Sequence, residues 1–537
     1  MAVRRGLAAS TLTVFGLTLL ASALGYLRES GVAAIFGASA ETDAYLVAFF
    51  IPNVLFLVLV WGTLTQALVP TFVEYLTTER REEAWHVASS VLNLLTPLLL
   101  ALVVAATAGA PLVVRGLAPG LDPEVARSAE DLTRLLMPIM LFLSLSAVVA
   151  ALLNSVGRFT VPALSPVVGT LMAIVSLFTL GRWIGIYGLA LGTLAGSVAQ
   201  LLVQLPWLAR SGFRYSFVFD FRHPGVRRIA FLCGPVALYV ALAHASVAVE
   251  RVIASGLETG SISMLNYAMR IFTMSAAFPV SLGIVLFPTF SALAATDSWQ
   301  RLSRQVVRGV NIVIVVITPL SVGFIVAALP LIRLLFERGR FGDQEASTTA
   351  LILAFFSLGM LPTAATQIFI RALYSARDVV TPAFAEGVNL LLYIPVSIGL
   401  ARLFEAPGLA VARALTFYVV AAIVFYRLRR RVPLWQGAAE WAHALKPLPA
   451  GAFTGLVLGL AVSPAVGALV GHDSFPAQAV TVSLLAAAGG LLYVPACLLL
   501  RVEGSEHVFA ASRRITTLTR GALTAKSADR REVAGDA

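Results

Sequence analysis

Charged side chains interrupt long apolar stretches of this 537-residue sequence at Arg28, Glu29, Asp43, Glu250, Arg251 and Arg270. An ionisable group at mid-membrane costs at least about 2.5–3.5 kcal/mol on insertion scales, so those that persist usually face a bundle interior or a wet cavity. Arginine is the informative type, because its guanidinium stays charged in a low dielectric and grips phosphate or carboxylate through two parallel N–H bonds. Arg28, Arg251 and Arg270, with Glu29 and Asp43 beside them, therefore read as the lining of a cavity for an anionic substrate. The competing reading is ion pairing between helices, Arg28 with Asp43 for example. For Arg134, Arg371 and Arg413 it is snorkelling or helix capping.

A second constellation joins Glu386 and Asn389, three apart and hence on one helical face, to Thr416 on the next apolar run. Carboxylate, amide and hydroxyl oxygens suit a hard monovalent cation. A protonated Glu386, or one paired with Arg413, accounts for the same residues. His244 alone reads as an interior histidine rather than a proton relay.

Other chemistries find no support. No Asp-Asp or Asp-x-Asp pair offers a divalent-metal site for glycosyl or phosphoglycosyl transfer, and Glu82-Glu83, flanked by Arg80 and Arg81, reads as a solvated charge run. Lys446 and Lys526 are the two lysines among 39 basic residues, and neither completes a nucleotide-gripping GxxxxGK loop. Cys233 and Cys497 sit in apolar runs, which argues packing rather than a disulfide or zinc. The expectation is a protein with no catalytic residue, metal or cofactor, driven by membrane potential or a monovalent cation gradient.

The elements that must position these residues are membrane helices. Hydrophobic residues make up 58% of the chain and charged ones 12%, with a mean hydropathy of +0.87, against about 25% charged in an average soluble domain. Apolar runs long enough to cross a bilayer fall near 8–27, 44–69, 87–112, 132–153, 161–180, 185–207, 229–254, 262–291, 309–330, 349–374, 382–401, 407–426, 447–470 and 477–500. The fold class is thus an all-α integral membrane protein with 14 transmembrane helices. The first run is too long for a signal-peptide core and is followed by Arg28 and Glu29 rather than a cleavage site, so it reads as a span. The net charge of +11 is dispersed between spans as the positive-inside rule requires, which argues against nucleic acid and places both termini in the cytoplasm. Arg513, Arg514, Arg520, Lys526, Arg530 and Arg531 read as a basic tail near anionic lipid.

The chain repeats itself. Val69-Pro70-Thr71-Phe72 recurs 218 residues on as Phe287-Pro288-Thr289-Phe290, and Leu153-Asn154-Ser155 with Val161-Pro162-Ala163 recurs 220 residues on as Leu373-Tyr374-Ser375 with Thr381-Pro382-Ala383. Spans 1–6 and 7–12 read as two six-helix bundles in parallel repeat, with two extra C-terminal helices. The expected divisions are 1–210, the N-terminal bundle; 211–228, a basic cytoplasmic loop; 229–431, the C-terminal bundle; 432–500, spans 13 and 14; and 501–537, the tail. Such a duplication suits a cleft opened alternately to either side. Pro52-Asn53, Pro138, Pro279, Pro319 and Pro395 mark expected kinks, and Gly25, Gly62, Gly283 and Gly387 close-approach or hinge positions.

The runs Leu24-Gly25-Tyr26-Leu27-Arg28-Glu29, Ile35-Phe36-Gly37-Ala38, Thr42-Asp43-Ala44-Tyr45, Phe49-Phe50-Ile51-Pro52-Asn53 and Gln66-Ala67-Leu68-Val69-Pro70 resemble the start of the MurJ/MviN family of lipid II flippases. Asn266-Tyr267-Ala268-Met269-Arg270, Leu282 through Pro288, Ala151 through Pro162 and Leu373 through Asp378 extend the resemblance over nearly the whole chain. The family belongs to the multidrug, oligosaccharidyl-lipid and polysaccharide exporter superfamily. The resemblance implies alternating-access translocation of undecaprenyl-pyrophosphate-linked disaccharide pentapeptide, lipid II, from the cytoplasmic to the outer leaflet of the bacterial inner membrane. It also implies membrane lipids and cell-wall synthesis proteins as partners, and spans 13 and 14 as a lipid-tail groove. Arg28 and Arg270 would engage the anionic head group and Asp43 would gate or balance charge. The chain departs from the family at Ser22, Phe56 and Leu57, where the family often carries arginine. A thinner basic cavity of this kind is also compatible with another polyprenyl-linked glycan, or with the drug or polysaccharide exporters of the superfamily.

Overall fold

The computed structural model describes residues 2–78, 80–435, 437–470 and 474–502; the expected basic tail lies, from 503 onward, outside the described residues. Among the described residues every regular element is a helix. In chain order these are α1 (Ala2–Phe36), α2 (Ala40–Phe56), α3 (Thr65–Thr77), α4 (Arg81–Ala108), α5 (Ala110–Leu117), α6 (Pro123–Leu136), α7 (Pro138–Ser155), α8 (Thr160–Phe178), α9 (Leu180–Ile184), α10 (Ile186–Ala209) and α11 (Pro224–Ala254). They continue as α12 (Ser261–Ser275), α13 (Ala277–Ala295), α14 (Trp299–Val326), α15 (Ala328–Phe336), α16 (Asp343–Leu358), α17 (Met360–Ser375), α18 (Val380–Arg429), α19 (Ala438–Leu445), α20 (Pro447–Val457), α21 (Ser463–Val470) and α22 (Phe475–Leu499). Wider π-helical turns join α2 to α3 at Leu57–Leu64 and α20 to α21 at Leu458–Val462.

Among the described residues twelve helices are long and apolar enough to cross a membrane, or 13 when the bent pair α16 and α17 counts as one span. The expected count of 14 is not reached by length and composition. α18 covers two expected spans, and its path breaks at Glu405, whose φ of 53° and ψ of −135° are not helical. The expected span 262–291 is also two helices, α12 and α13, separated at Ala276.

Caps and prolines set these boundaries. Ser39, in an extended conformation, accepts from the Thr42 N–H and starts α2; His223 accepts from the Gly225 N–H and precedes Pro224 at the start of α11. Pro138 opens α7 and Pro279 lies in the first turn of α13, where a missing N–H leaves no bond unmade. Pro52, by contrast, lies inside α2, and the π-helical turn begins five residues beyond it.

The internal repeat reappears as local geometry. After α7 the Arg158 N–H returns to the Leu153 carbonyl at 2.9 Å, and after α17 the Asp378 N–H returns to the Leu373 carbonyl at 2.9 Å. The residue needed in the left-handed region is Gly157 in the first turn and Arg377 in the second, at φ 76° and 60°.

By proximity the chain falls into two units. The first comprises Met1–Arg270, Ile332–Ile352 and Pro382–Thr416; the second comprises Ile271–Leu331, Leu353–Thr381 and Phe417–Ala537. In the first, Phe72, Trp85, Leu152 and Leu153 anchor a buried apolar core. α8 and α10 cross at contact distance because Gly192 and Gly196 leave no Cβ: one added at Gly196 would lie 2.4 Å from the Gly169 carbonyl oxygen. In the second unit Phe369, Phe425, Trp435 and Trp441 form an aromatic cluster, and the Tyr493 hydroxyl donates to the Val315 carbonyl at 3.0 Å.

Candidate functional site

Asp43 lies one turn into α2, yet its partners are 217 and 220 residues away. Oδ2 accepts from the Gly260 N–H at 2.8 Å, and Oδ1 accepts from the Ser263 N–H at 2.8 Å and from the Ser263 hydroxyl. These donors are orphan groups at the start of α12, so the carboxylate caps that helix from outside it and meets the positive end of its dipole. Gly260 is required here: its φ is +92°, and an added Cβ would lie 2.4 Å from the Ala38 carbonyl oxygen. Tyr267, fully buried, fastens the same helix by stacking on Phe336 with ring centroids 4.9 Å apart and donating to the Gly37 carbonyl at 3.3 Å.

The expected cavity residues do not form one cluster. Arg28 donates to its neighbour Glu29 at 2.7 Å, so the Arg28–Asp43 pair considered from sequence is replaced by a contact within α1. Arg251 lies over the Phe50 ring at 4.8 Å, and its Nε and Nη1 are buried without a hydrogen-bond partner. The nearby charges of Glu250 and Asp43 act on it.

Arg270 faces a cavity. It lies about two helical turns beyond Ser263 on α12, with its guanidinium 5.3 Å from the Tyr26 ring centroid. Gly25 permits this approach, since a Cβ there would meet Nη2 at 2.9 Å. The cavity, about 810 Å³, is bounded by α1, α2, α3, α7, α8 and α10 together with Arg270. Arg270 is the one charged group among the described residues that line it; the polar remainder is Thr18, Ser22, Ser146, Asn154, Ser165 and Gln200. Phe56 also lines it. Behind the wall the Gln204 amide donates to the Ser146 hydroxyl at 2.6 Å and the Ser165 hydroxyl at 3.2 Å, tying α10 to α7 and α8.

The candidate cation set adjoins an internal ion pair. Asn389 donates to Glu386 at 3.0 Å, which brings those two together, whereas the Thr416 hydroxyl donates to the Arg413 carbonyl on its own helix. Arg413 neither snorkels nor caps. Its Nε and Nη2 donate to Glu250 at 3.0 and 2.8 Å, Nη2 also reaches the Ser246 carbonyl at 3.1 Å, and the guanidinium lies 4.4 Å from the Tyr393 ring. The Tyr393 hydroxyl donates to the same Glu250 oxygen at 3.0 Å. Among the described residues no three His, Cys, Asp or Glu side chains converge as metal ligands.

The expected hinges divide by role. Pro52 and Asn53 precede the π-helical turn and Pro279 follows a helix break, but Gly283 is a packing position, where a Cβ would lie 3.2 Å from Arg371 Cγ.

The sequence profile of the family described as Lipid II flippase MurJ matches residues 32–475. The chain belongs to the MurJ family. It is 29% identical over 440 residues to the Lipid II flippase MurJ of Burkholderia cenocepacia, covering 80% of this chain and 85% of that one. It is 30% identical over 420 residues to a probable lipid II flippase MurJ of Buchnera aphidicola from Acyrthosiphon pisum, covering 77% and 82%. Its fold is similar to that of a lipid II flippase MurJ in an inward closed conformation, with a TM-score of 0.75 and 22% identity over 91% of this chain and 99% of that one. It is also similar to a multidrug resistance MATE family transporter of the MOP superfamily in an inward-facing conformation, with a TM-score of 0.67 and 16% identity over 79% and 98%.

For this MurJ-family chain, sequence reasoning missed the polar wall formed by Ser146, Asn154, Ser165 and Gln200. Each is a hydroxyl or amide side chain in a largely apolar run, and periodicity does not say which of these share a cavity. The Glu250–Arg413 pair had a usable signal, two opposite charges within spans, but its partners are 163 residues apart.

Proposed function

We propose that this protein is an alternating-access flippase that carries lipid II, or a closely related undecaprenyl-pyrophosphate glycan, from the cytoplasmic to the outer leaflet of a bacterial inner membrane. The observation that carries the reading is the cavity of about 810 Å³ with Arg270 as its charged group. A guanidinium beside six hydroxyl- or amide-bearing side chains matches a ligand that is anionic at one point and rich in hydroxyls and amides elsewhere. Family membership supplies the cargo, since the relatives bear the name lipid II flippase.

In this reading Arg270 binds the pyrophosphate, and Arg28 and Arg251 supply further positive charge. Glu29 holds Arg28, Asp43 positions Arg270 through α12, and Pro52, Asn53, Pro279 and Gly283 lie where the helices bend or close. The halves 1–210 and 229–431, joined by 211–228, are the moving bodies, with 432–500 receiving the lipid tail. Membrane potential or a monovalent cation near Glu386, Asn389 and Thr416 drives the cycle. Both termini are cytoplasmic, and cell-wall synthesis proteins are the natural partners.

Ser22 and Phe56 on the cavity wall favour a second reading, a related lipid-linked glycan with a weaker requirement for positive charge. The test is transbilayer movement of fluorescent lipid II by the purified protein in liposomes, with unlabelled lipid-linked glycans as competitors. Protein-dependent movement supports the proposal. No movement of lipid II, with movement of another polyprenyl-linked glycan, establishes the second reading. Sugar or phosphate transfer by the pure protein would replace both.

A further inference from the structure

The connection between α10 and α11 carries a feature that transport does not use. From Phe213 to Phe221 aromatic residues occupy every second position, as Phe213, Tyr215, Phe217, Phe219 and Phe221. In an extended chain alternate side chains point to opposite faces. Phe217, Phe219 and Phe221 are accordingly exposed, Phe217 to 77%, whereas Phe213 packs edge-on against Trp85 of α4 and Asp220 turns toward His86 of α4.

This strap runs along α4. Arg81 at the start of α4 donates to the Ser211 carbonyl at the strap's root. Farther along, Ser89 accepts from the Ser216 N–H at 3.2 Å, and Asn93 donates to the carbonyls of both Ser216 and Val218 at 2.9 and 3.0 Å. Tyr215 closes the set by donating to Asn93 Oδ1 at 2.6 Å. The chain then returns, with Asp220 opposite His86 at 3.4 Å. Asn93 lies six residues beyond Val87, where the apolar run of α4 begins, so at 1.5 Å per residue the tip reaches about 9 Å along a membrane-crossing helix.

Non-helical backbone at such a depth persists where protein groups satisfy it, and here Asn93 takes the Ser216 and Val218 carbonyls and Ser89 the Ser216 N–H. The outward face is aromatic, the flanking exposed charges Arg210, Arg214, Arg222 and Arg227 are basic, and the one carboxylate, Asp220, faces inward. The Ser216 and Val218 carbonyls are both taken by Asn93 of α4, and the exposed side chains Phe217, Phe219 and Phe221 are apolar. We propose that residues 213–222 form a membrane-inserted anchor, with Phe217, Phe219 and Phe221 among acyl chains and the arginines on anionic phospholipid head groups of the leaflet that faces the 211–228 loop.

The test places an environment-sensitive fluorophore on F217C in full-length protein carrying C233S and C497A, reconstituted in phosphatidylglycerol-containing liposomes. The anchor predicts quenching by acyl-chain nitroxides and none by aqueous iodide, and loss of nitroxide quenching when phosphatidylcholine replaces the anionic lipid. Asn93→Leu should release the strap and make the label iodide-accessible; should that variant not accumulate, Ser89→Ala with Tyr215→Phe serves the same purpose. Iodide quenching in the otherwise unaltered protein would overturn the proposal in favour of a face for a soluble partner. Undiminished nitroxide quenching in phosphatidylcholine would overturn the role of anionic lipid.

Discussion

Asp43 and Ser263 are joined by two hydrogen bonds to one carboxylate oxygen, across 220 residues of sequence. The contact ties the first helical hairpin to the start of the helix that carries Arg270. In the proposed reading Asp43 is a positioning residue, acting on the cavity through the placement of α12.

Asp43→Ala should lower stability by about 1–3 kcal/mol, the cost of leaving buried donors unpaired at a helix start, and should reduce lipid II movement. Asp43→Asn keeps one acceptor oxygen and should fall between Asp43→Ala and the parent protein. Thermal unfolding in detergent and the liposome assay read the two effects. Equal transport by all three proteins would remove the positioning role.

Arg270 is exposed to the cavity, so Arg270→Ala should cost no more than about 1 kcal/mol, the scale of its contact with the Tyr26 ring, while abolishing lipid II movement. Arg270→Lys keeps the charge without the two-pronged donor and should retain partial activity. Gly25→Val should also slow transport, because a side chain there meets Nη2 of Arg270.

Glu250 and Arg413 are both buried, with side chains 8% and 5% exposed. Removing one partner leaves a charge uncompensated in a low dielectric, so Arg413→Met or Glu250→Gln should each cost about 3–5 kcal/mol. The double variant should cost less than the sum of the singles, and a double-mutant cycle on unfolding midpoints measures the coupling. Additive losses would mean that the pair does not act as a unit.

Gly196→Ala places a methyl group against the Gly169 backbone where α8 and α10 cross, and backbone cannot swing aside as a side chain does. A loss of about 1–3 kcal/mol is expected. Gly399→Ala, inside α18 with nothing within 4 Å of its added Cβ, should not lower the unfolding temperature.

For Asp220, desolvation alone would raise the carboxyl, but the hydrogen bond with His86, then those from the Arg222 and His223 N–H groups, then the charge of His223, hold it below the ordinary carboxylate range. A carboxylate depressed in the folded state stabilises above its ordinary value, and that contribution is lost as pH falls through the depressed one. The strap should therefore loosen below about pH 4, seen as iodide access to a label at position 217. In Asp220→Asn this pH dependence should be absent.

Composition and hydropathy alone determine that this is a helical membrane protein, because spans must satisfy their own backbone hydrogen bonds and be apolar over a bilayer's thickness. The repeated motifs were equally legible, and they end in the same turn after α7 and after α17. Arg270 and Asp43 stood out as candidates because charge in an apolar run is costly wherever it stands. Their partners were not. Whether Arg28 meets Asp43 or Glu29, whether Arg413 snorkels or pairs with Glu250, and which lone serines and amides share a wall with Arg270 all depend on how helices far apart in sequence rotate and cross. That rotation is fixed by contacts such as Gly196 on Gly169 and Asp43 on Ser263. No local pattern encodes such contacts, because each needs two surfaces that only tertiary packing brings together.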